Sequence, residues 1–285
     1  PSQRVYRRMK MPAWVKALAF IAALLPGAAG AQMAELVSQS ALRVCADPAN
    51  DPMSTEAETG FENKIADLLA AALERPVEYT WFPMATGFVR RTLGEKRCDV
   101  IIGFAQGHEL VQNTNHYMVS AYTLILPQAG ELSDVVTLAD PRLKGKVVGI
   151  IAGSPPGTHM ARNGLMAKAR AYPLFVDRRV QSPAQDMLRD LEAGEIDAAV
   201  LWGPIGGPLV KREHPSLKVV PLMQEAGAPK MFYRITMGVR LGEDQWKRQL
   251  NSLIRRNQAG IDAILVEAGV PLLNDMGTEA KVLLQ

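Results

Sequence analysis

Leu42-Arg43-Val44-Cys45-Ala46-Asp47-Pro48-Ala49-Asn50-Asp51-Pro52-Met53-Ser54, running on to Thr59-Gly60-Phe61-Glu62-Asn63-Lys64-Ile65-Ala66, decides the fold. Its first six residues form a short apolar run, the pattern of a strand covered on both faces in the middle of a sheet. Residues 48–54 are rich in turn formers. From Phe61 the apolar positions Phe61, Ile65, Leu68, Leu69 and Ala72 follow helical spacing, which predicts a helix with one face on a core. Thr59 and Glu62 stand at capping-box spacing, which predicts that each satisfies an N–H of the first turn. Strand, loop and helix make half of a βαβ unit. Ligands in open α/β sheets lie beyond the carboxyl ends of strands, so residues 47–54 are the first candidate site.

Working outward, Val77-Glu78-Tyr79-Thr80-Trp81 reads as a second strand, 87–94 as a short helix and Cys98-Asp99-Val100-Ile101-Ile102-Gly103 as a third strand, giving a compact first lobe. Residues 117–126 form a long extended run able to leave that lobe. A second α/β pattern then begins at Val147, with a loop at 153–158, a helix over 158–169, a capped helix opening at Ser182-Pro183-Ala184-Gln185 and a strand at 196–201. A second extended run at 230–239 leads to closing helices at 244–256 and 258–267. These helices have no partner unless they return to the first lobe. The expectation is therefore an α/β protein with a discontinuous first domain, residues 32–121 and 235–285, an inserted second domain, residues 122–234, and hinge closure about a cleft.

Ahead of this lies Met9, followed by Lys10 and Lys16, an apolar run at 17–25 and the small-residue sequence Ala28-Ala29-Gly30-Ala31. That is the layout of a secretory signal peptide with its cut after Ala31, and the apolar run is about half the ~20 residues of a membrane span. Residues 1–31 are set apart on this reading. They hold Arg4, Arg7, Arg8, Lys10 and Lys16 and no acid, so the 32 basic residues of the whole fall to 27 against 29 acidic ones and the formal charge moves from +3 to −2. Nucleic-acid binding loses its electrostatic basis, and cleavage leaves no membrane anchor. The basic doublets Arg178-Arg179, Lys211-Arg212 and Arg255-Arg256 read as solvated faces. Export places Cys45 and Cys98 in an oxidising compartment. If their strands are neighbours they form a structural disulfide worth about 2–4 kcal/mol, the alternative being two separate buried thiols.

Gly60-Phe61-Glu62-Asn63-Lys64-Ile65-Ala66, Cys98-Asp99-Val100-Ile101-Ile102-Gly103, Leu143-Lys144-Gly145-Lys146-Val147-Val148-Gly149 and Leu191-Glu192-Ala193-Gly194-Glu195-Ile196-Asp197-Ala198 occur in that order. Together they resemble the bacterial extracellular solute-binding proteins of the amino-acid-binding type, and imply a two-lobed type II periplasmic-binding-protein fold with two crossing segments. Cys45-Ala46-Asp47-Pro48, Tyr79-Thr80-Trp81-Phe82-Pro83 and Gly87-Phe88-Val89-Arg90 resemble, more narrowly, the quinoprotein-dehydrogenase-associated subgroup, the MxaJ/XoxJ-like J accessory proteins of methanol dehydrogenase systems. The resemblance implies a periplasmic protein that is not an enzyme and that assists or activates a pyrroloquinoline quinone (PQQ)-dependent methanol dehydrogenase of the lanthanide or calcium type. PQQ and metal would then sit on the dehydrogenase, with none bound by this chain. The alternative is an ABC-transporter-linked receptor for a small solute. Amino-acid binders of this fold place an Arg before the first crossing strand to hold the ligand carboxylate. Here that position falls near Gln112, and Leu201-Trp202-Gly203-Pro204 lacks the acid that holds the amino group.

Candidate cleft residues follow from the strand ends. Asp47, Asn50 and Asp51 are hard oxygen donors that either suit a cation or cap turns. Ser154 and Thr158 flank a loop that could cradle an anion, although Pro155 and Pro156 remove N–H donors. Trp81, Phe82, Phe104, Tyr122 and Trp202 stand near strand ends and either pack the core or line an aromatic groove for an apolar ligand or a partner's segment, with Met53 beside them. An unidentified cleft ligand is thus a second candidate partner. No metal site is read in the chain. His108-Glu109-Leu110-Val111-Gln112 lacks the second His of a zinc-protease helix, and Gly153-Ser154-Pro155 is not a nucleophile elbow.

Overall fold

The computed structural model describes residues 36–283, so the signal-peptide reading of 1–31 lies outside the described residues. Strand β1 (Leu42–Ala46) lies parallel between β4 (Val77–Trp81) and β5 (Val100–Ala105). Helix α1 (Phe61–Leu73) covers them, burying Phe61, Ile65, Ala66, Leu69 and Ala70. Ala72, expected on the buried face, is exposed.

The loop after β1 folds into a two-residue ladder, β2 (Ala49–Asn50) against β3 (Ser54–Thr55). Its carbonyls at Pro52 and Met53 accept the first N–H groups of α1, from Phe61 at 3.1 Å and Glu62 at 2.8 Å. This docking requires Gly60, where a Cβ would lie 2.1 Å from the Met53 carbonyl oxygen. The expected Thr59/Glu62 capping box gives way to it. Gly60 is the N-cap, and Asn63 Oδ1 accepts from the N–H groups of Gly60 at 3.1 Å and Thr55 at 3.0 Å. Glu62 turns inward.

After short α2 (Phe88–Arg91) and β6 (Gln112–Asn113), the long strand β7 (Met118–Pro127) leaves the first lobe. Its first residues pair with β12 (Phe232–Val239), its later ones with β10 (Ala198–Trp202) and β11 (Leu217–Pro221). The second lobe adds β8 (Val148–Ile151), α3 (Pro156–Arg162), β9 (Arg170–Tyr172), α4 (Pro183–Glu192) and α5 (Gly203–Glu213). Strand order across the molecule is β4-β1-β5-β12-β7-β10-β8-β9, so β12 and β7 are the two crossing segments. The chain closes in one helix, α6 (Asp244–Ala268), where the sequence predicted two.

Each lobe has its own core. In the first, Leu250, Leu253, Ile254, Ile261 and Leu265 of α6 pack with Phe61, Ile65 and Leu69 of α1. The second is built on Leu124, Val148, Ile150, Val200, Met187 and Leu188. Each fully buried side chain of this size contributes roughly 1.5–3 kcal/mol. Helix α5 and strand β9 were not anticipated. Gly203, Gly206, Gly207 and Pro208 have poor helix propensity, and tertiary packing overrides it: Cβ atoms at 203 and 207 would meet the carbonyls of Ala121 and Gly269 at 2.5 and 2.2 Å.

Cys45 and Cys98 form the expected disulfide, with Cα atoms 5.5 Å apart. Parallel pairing of β1 with β5, in which Cys45 faces Ile101, brings the two sulfurs together.

Candidate functional site

Strand polarity places the loops after β1, β5, β8 and β10 where the lobes face each other, and they enclose a cavity of about 540 Å³. The first lobe contributes Asn50, Asp51, Gly103 and Ala105, and the crossing strands contribute Tyr122, Tyr233 and Ile235. From the second lobe come Ile151, Ser154, Leu201, Trp202 and an irregular strap between β9 and α4 that includes Leu174, Val176 and Arg178. The volume falls within the roughly 300–1,000 Å³ of small-molecule sites.

Three rings dominate one wall. Trp202 lies 5.3 Å from Tyr122 and 5.7 Å from Tyr233 between ring centroids, and the two tyrosines are 6.3 Å apart. All three contacts are tilted or edge-to-face, the arrangements favoured by ring quadrupoles. Burial, and secondarily the neighbouring Tyr233, pushes the Tyr122 hydroxyl up to about 12, so it stays a neutral donor.

Charge crosses the cleft in one direction. Arg178 of the strap donates from Nη1 to Asn50 Oδ1 at 2.5 Å and reaches Asp47 Oδ2 at 3.5 Å. Arg212 at the end of α5 grips Asp51 with two parallel bonds, Nη1 to Oδ1 at 3.0 Å and Nη2 to Oδ2 at 2.6 Å. Two guanidinium groups of the second lobe thus hold the loop after β1 of the first. Asp47, 3% exposed, is already satisfied by backbone. Its Oδ1 accepts from the Ala49 N–H at 2.9 Å and its Oδ2 from the Met84 N–H at 2.8 Å.

Under the cavity floor, Glu62 lies against Gly103, where a Cβ would come within 1.8 Å of Glu62 Oε1. Gly103 also has φ +79, open to glycine at little cost. Burial, with Asp47 nearby, pushes the Glu62 carboxyl up to about 8. A raised folded-state value contributes stability that is complete below the unfolded value near 4.3 and is lost as pH rises toward 8. Glu62→Gln is therefore expected to match the wild type near pH 4 and to exceed it by about 3 kcal/mol at pH 7, with a flatter pH profile. Urea unfolding at pH 4 to 8 measures this, and parallel profiles would refute it.

Of the residues singled out in the sequence, Asn50, Asp51, Tyr122, Ser154 and Trp202 line the cavity. The others are displaced for identifiable reasons. Asp47 lies one layer behind the wall as a turn cap. Met53 packs on the first core and accepts from Asn50 Nδ2 at 3.4 Å. Trp81 stacks on Tyr79 at 4.3 Å, because β4 is the sheet edge and ends away from the cleft. Along β5 side chains alternate, so Gly103 and Ala105 face the cavity while Phe104 points to the other side, against His108 at 5.1 Å. Phe82 joins Phe104 around Phe88 and the disulfide. Thr158 is exposed on α3, and the Ser154 hydroxyl donates to Ile151 O at 2.7 Å, so no anion cradle forms there. Gln112, on β6, donates to Asp244 Oδ1 at 2.5 Å and is not in the wall.

Arg178, Arg212 and Tyr233 are additions of the structure. Arg178 and Arg212 are exposed, 38% and 47%, as the solvated-face reading of the basic doublets has it, but each also pairs across the cleft, and Lys211 donates to the carbonyls of Val266 and Glu267 at the end of α6. The available signal for Arg178 was its place in an irregular stretch just before a capped helix, where loops carry function. Tyr233 was signalled by its place on the second crossing strand.

Two lobes joined by two antiparallel crossing strands, with a cavity walled by the strand-end loops of both, define the type II periplasmic-binding-protein fold. No protein-family model matches the chain. The chain is 42% identical to the periplasmic binding protein XoxJ of Methylobacterium extorquens AM1, whose crystal structure superposes with a TM-score of 0.70, covering 82% of this chain and 100% of that one. It is 29% identical over 248 residues to the protein MoxJ of Methylorubrum extorquens, 81% of each chain, and 26% identical over 262 residues to MoxJ of Paracoccus denitrificans, 87% of this chain and 95% of that one. The chain belongs to the family of the XoxJ periplasmic binding proteins.

Proposed function

We propose that the protein works in the periplasm as a non-enzymatic accessory that binds a quinoprotein methanol dehydrogenase and assists its maturation or activation. The dehydrogenase carries the pyrroloquinoline quinone and the metal. Support comes from kinship with XoxJ and MoxJ and from one observation in the cleft: its carboxylates are spent on the protein itself. Arg212 bonds Asp51, and Asp47 is capped by backbone. An amino acid entering the cavity meets, among the described residues, no carboxylate free to hold its ammonium group, and a solitary buried charge is costly. An apolar, aromatic-walled recess of this size accommodates side chains of a partner's segment at least as well.

On this reading the lobes divide near residues 121/122 and 234/235, and the working surface comprises Asn50, Asp51, Tyr122, Ser154 and Trp202 with Arg178, Arg212 and Tyr233. Calorimetric titration with the twenty amino acids and with short dipeptides is expected to give no micromolar binding. Micromolar affinity accompanied by a fall in radius of gyration in solution scattering would favour the transporter-receptor reading instead.

A further inference from the structure

Arg178 has five N–H donors arranged as a planar fork, and among the described residues only Nη1 has acceptors, Asn50 Oδ1 and Asp47 Oδ2. Nε and Nη2 form the edge that pairs with a carboxylate through two parallel bonds. No acceptor meets that edge among the described residues. The guanidinium is therefore anchored at one corner and open along one side; Arg178 lines the cavity with its side chain 38% exposed.

Among the described residues, the cavity around it carries no counterpart for a cation. Asp51 is held by Arg212 at 3.0 and 2.6 Å. Both oxygens of Asp47 receive backbone N–H groups, and the Glu62 carboxyl behind Gly103, pushed up to about 8, keeps its proton at neutral pH. Apolar surface is abundant, in Tyr122, Trp202, Tyr233, Ile151, Leu174 and Val176.

We infer that Arg178 is the anion-recognition residue of this cavity and that the group it takes is a carboxylate borne on an aromatic or apolar body without an α-ammonium. The carboxylate pairs with the open edge, while the body displaces water from the tyrosine and tryptophan faces. Two sources supply this chemistry, a free aryl-alkanoate and the terminal carboxylate of a peptide segment. The inference stands on the cavity and not on the dehydrogenase reading.

The test is titration of the full mature protein, by calorimetry and by Trp fluorescence, with 3-phenylpropionate, L-phenylalanine, phenethylamine, and N-acetyl-Gly-Phe as the acid and as the amide. Either 3-phenylpropionate or the peptide acid is expected to bind at least tenfold tighter than phenylalanine, phenethylamine and the peptide amide. Binding of the free acid alone assigns a small-molecule source, and preference for the peptide acid assigns a chain terminus. Arg178→Lys is expected to weaken the preferred ligand at least tenfold, because an ammonium lacks the fork. Arg179→Gln, which removes the neighbouring guanidinium paired with Asp177, is expected to change it less than twofold. Equal weakening by both variants, tighter binding of the amine, or no binding of either acid at millimolar concentration overturns the inference. Retention of a dehydrogenase by Arg178→Lys alongside lost acid binding shows that the two readings are separate.

Discussion

Cys45→Ala/Cys98→Ala protein is expected to be about 4 kcal/mol less stable than the oxidised wild type, the chain-entropy value for closing a loop of 53 residues. The bond ties β1 to the turn before β5, the two strands whose ends frame the first lobe's side of the cavity. Both sulfurs are buried, with Phe88, Leu93 and Ile101 packed around them. Truncation to alanine therefore adds a packing loss to the entropic one. Urea unfolding gives the difference directly. Because the sulfurs are shielded, the folded wild type is expected to resist mild reductant and to lose the bond only as it unfolds. A destabilisation below about 1 kcal/mol, outside the usual range for native disulfides, would show that the bond adds little beyond the strand pairing.

Asp99→Ala is expected to cost about 3–5 kcal/mol, the usual penalty for removing one member of a buried ion-pair network. Asp99 is 1% exposed. Arg43 donates Nε to its Oδ2 and Nη2 to its Oδ1, both at 2.7 Å, and Arg240 adds Nη2 to Oδ1 at 2.6 Å. The Ser38 N–H gives a further bond at 3.1 Å, and Trp246 Nε1 donates to the Asp99 carbonyl at 3.0 Å. Burial pushes the carboxyl up, but these donors outweigh it and hold it below the ordinary value. A depressed folded-state value means stability that is present above the unfolded value near 3.9 and is lost as pH falls through the folded one. The variant leaves Arg240, 10% exposed, with Glu243 as its remaining carboxylate. A fall in melting temperature of roughly 10 °C is expected for a domain of this size, with the gap to wild type closing on acidification. A gap that persists unchanged below pH 3 would rule out the electrostatic account.

The architecture was legible because strands and amphipathic helices repeat at fixed periods. The run 42–46, the stripe of α1 and the two extended segments stand where periodicity placed them. Of the two readings of Cys45 and Cys98, a disulfide if their strands are neighbours or separate buried thiols, the first is what the pairing of β1 with β5 produces. Helix α5 was hidden because its glycines and prolines serve close backbone contacts that sequence does not display. At the site, proximity to a strand end placed Trp202 but misplaced Trp81 and Phe104, and Tyr122 lines the cavity from the middle of the crossing strand β7. Whether a strand is an edge, and which face a residue takes, depend on sheet order and alternation. The cross-cleft pairing of the exposed Arg178 and Arg212 was hidden because their partners lie 128 and 161 residues away in sequence. Contacts across that distance exist only once the lobes are folded and facing.

On the proposed reading, this cleft protein serves a dehydrogenase rather than a transporter for free amino acids. The most direct measurement is size-exclusion chromatography with light scattering of the mature protein mixed with the methanol dehydrogenase of its own host, alongside the dehydrogenase's turnover. The account predicts a complex of defined stoichiometry, or a rise in the active fraction of freshly assembled dehydrogenase. Unchanged elution and unchanged activity, together with micromolar capture of an amino acid by the same preparation, would contradict it.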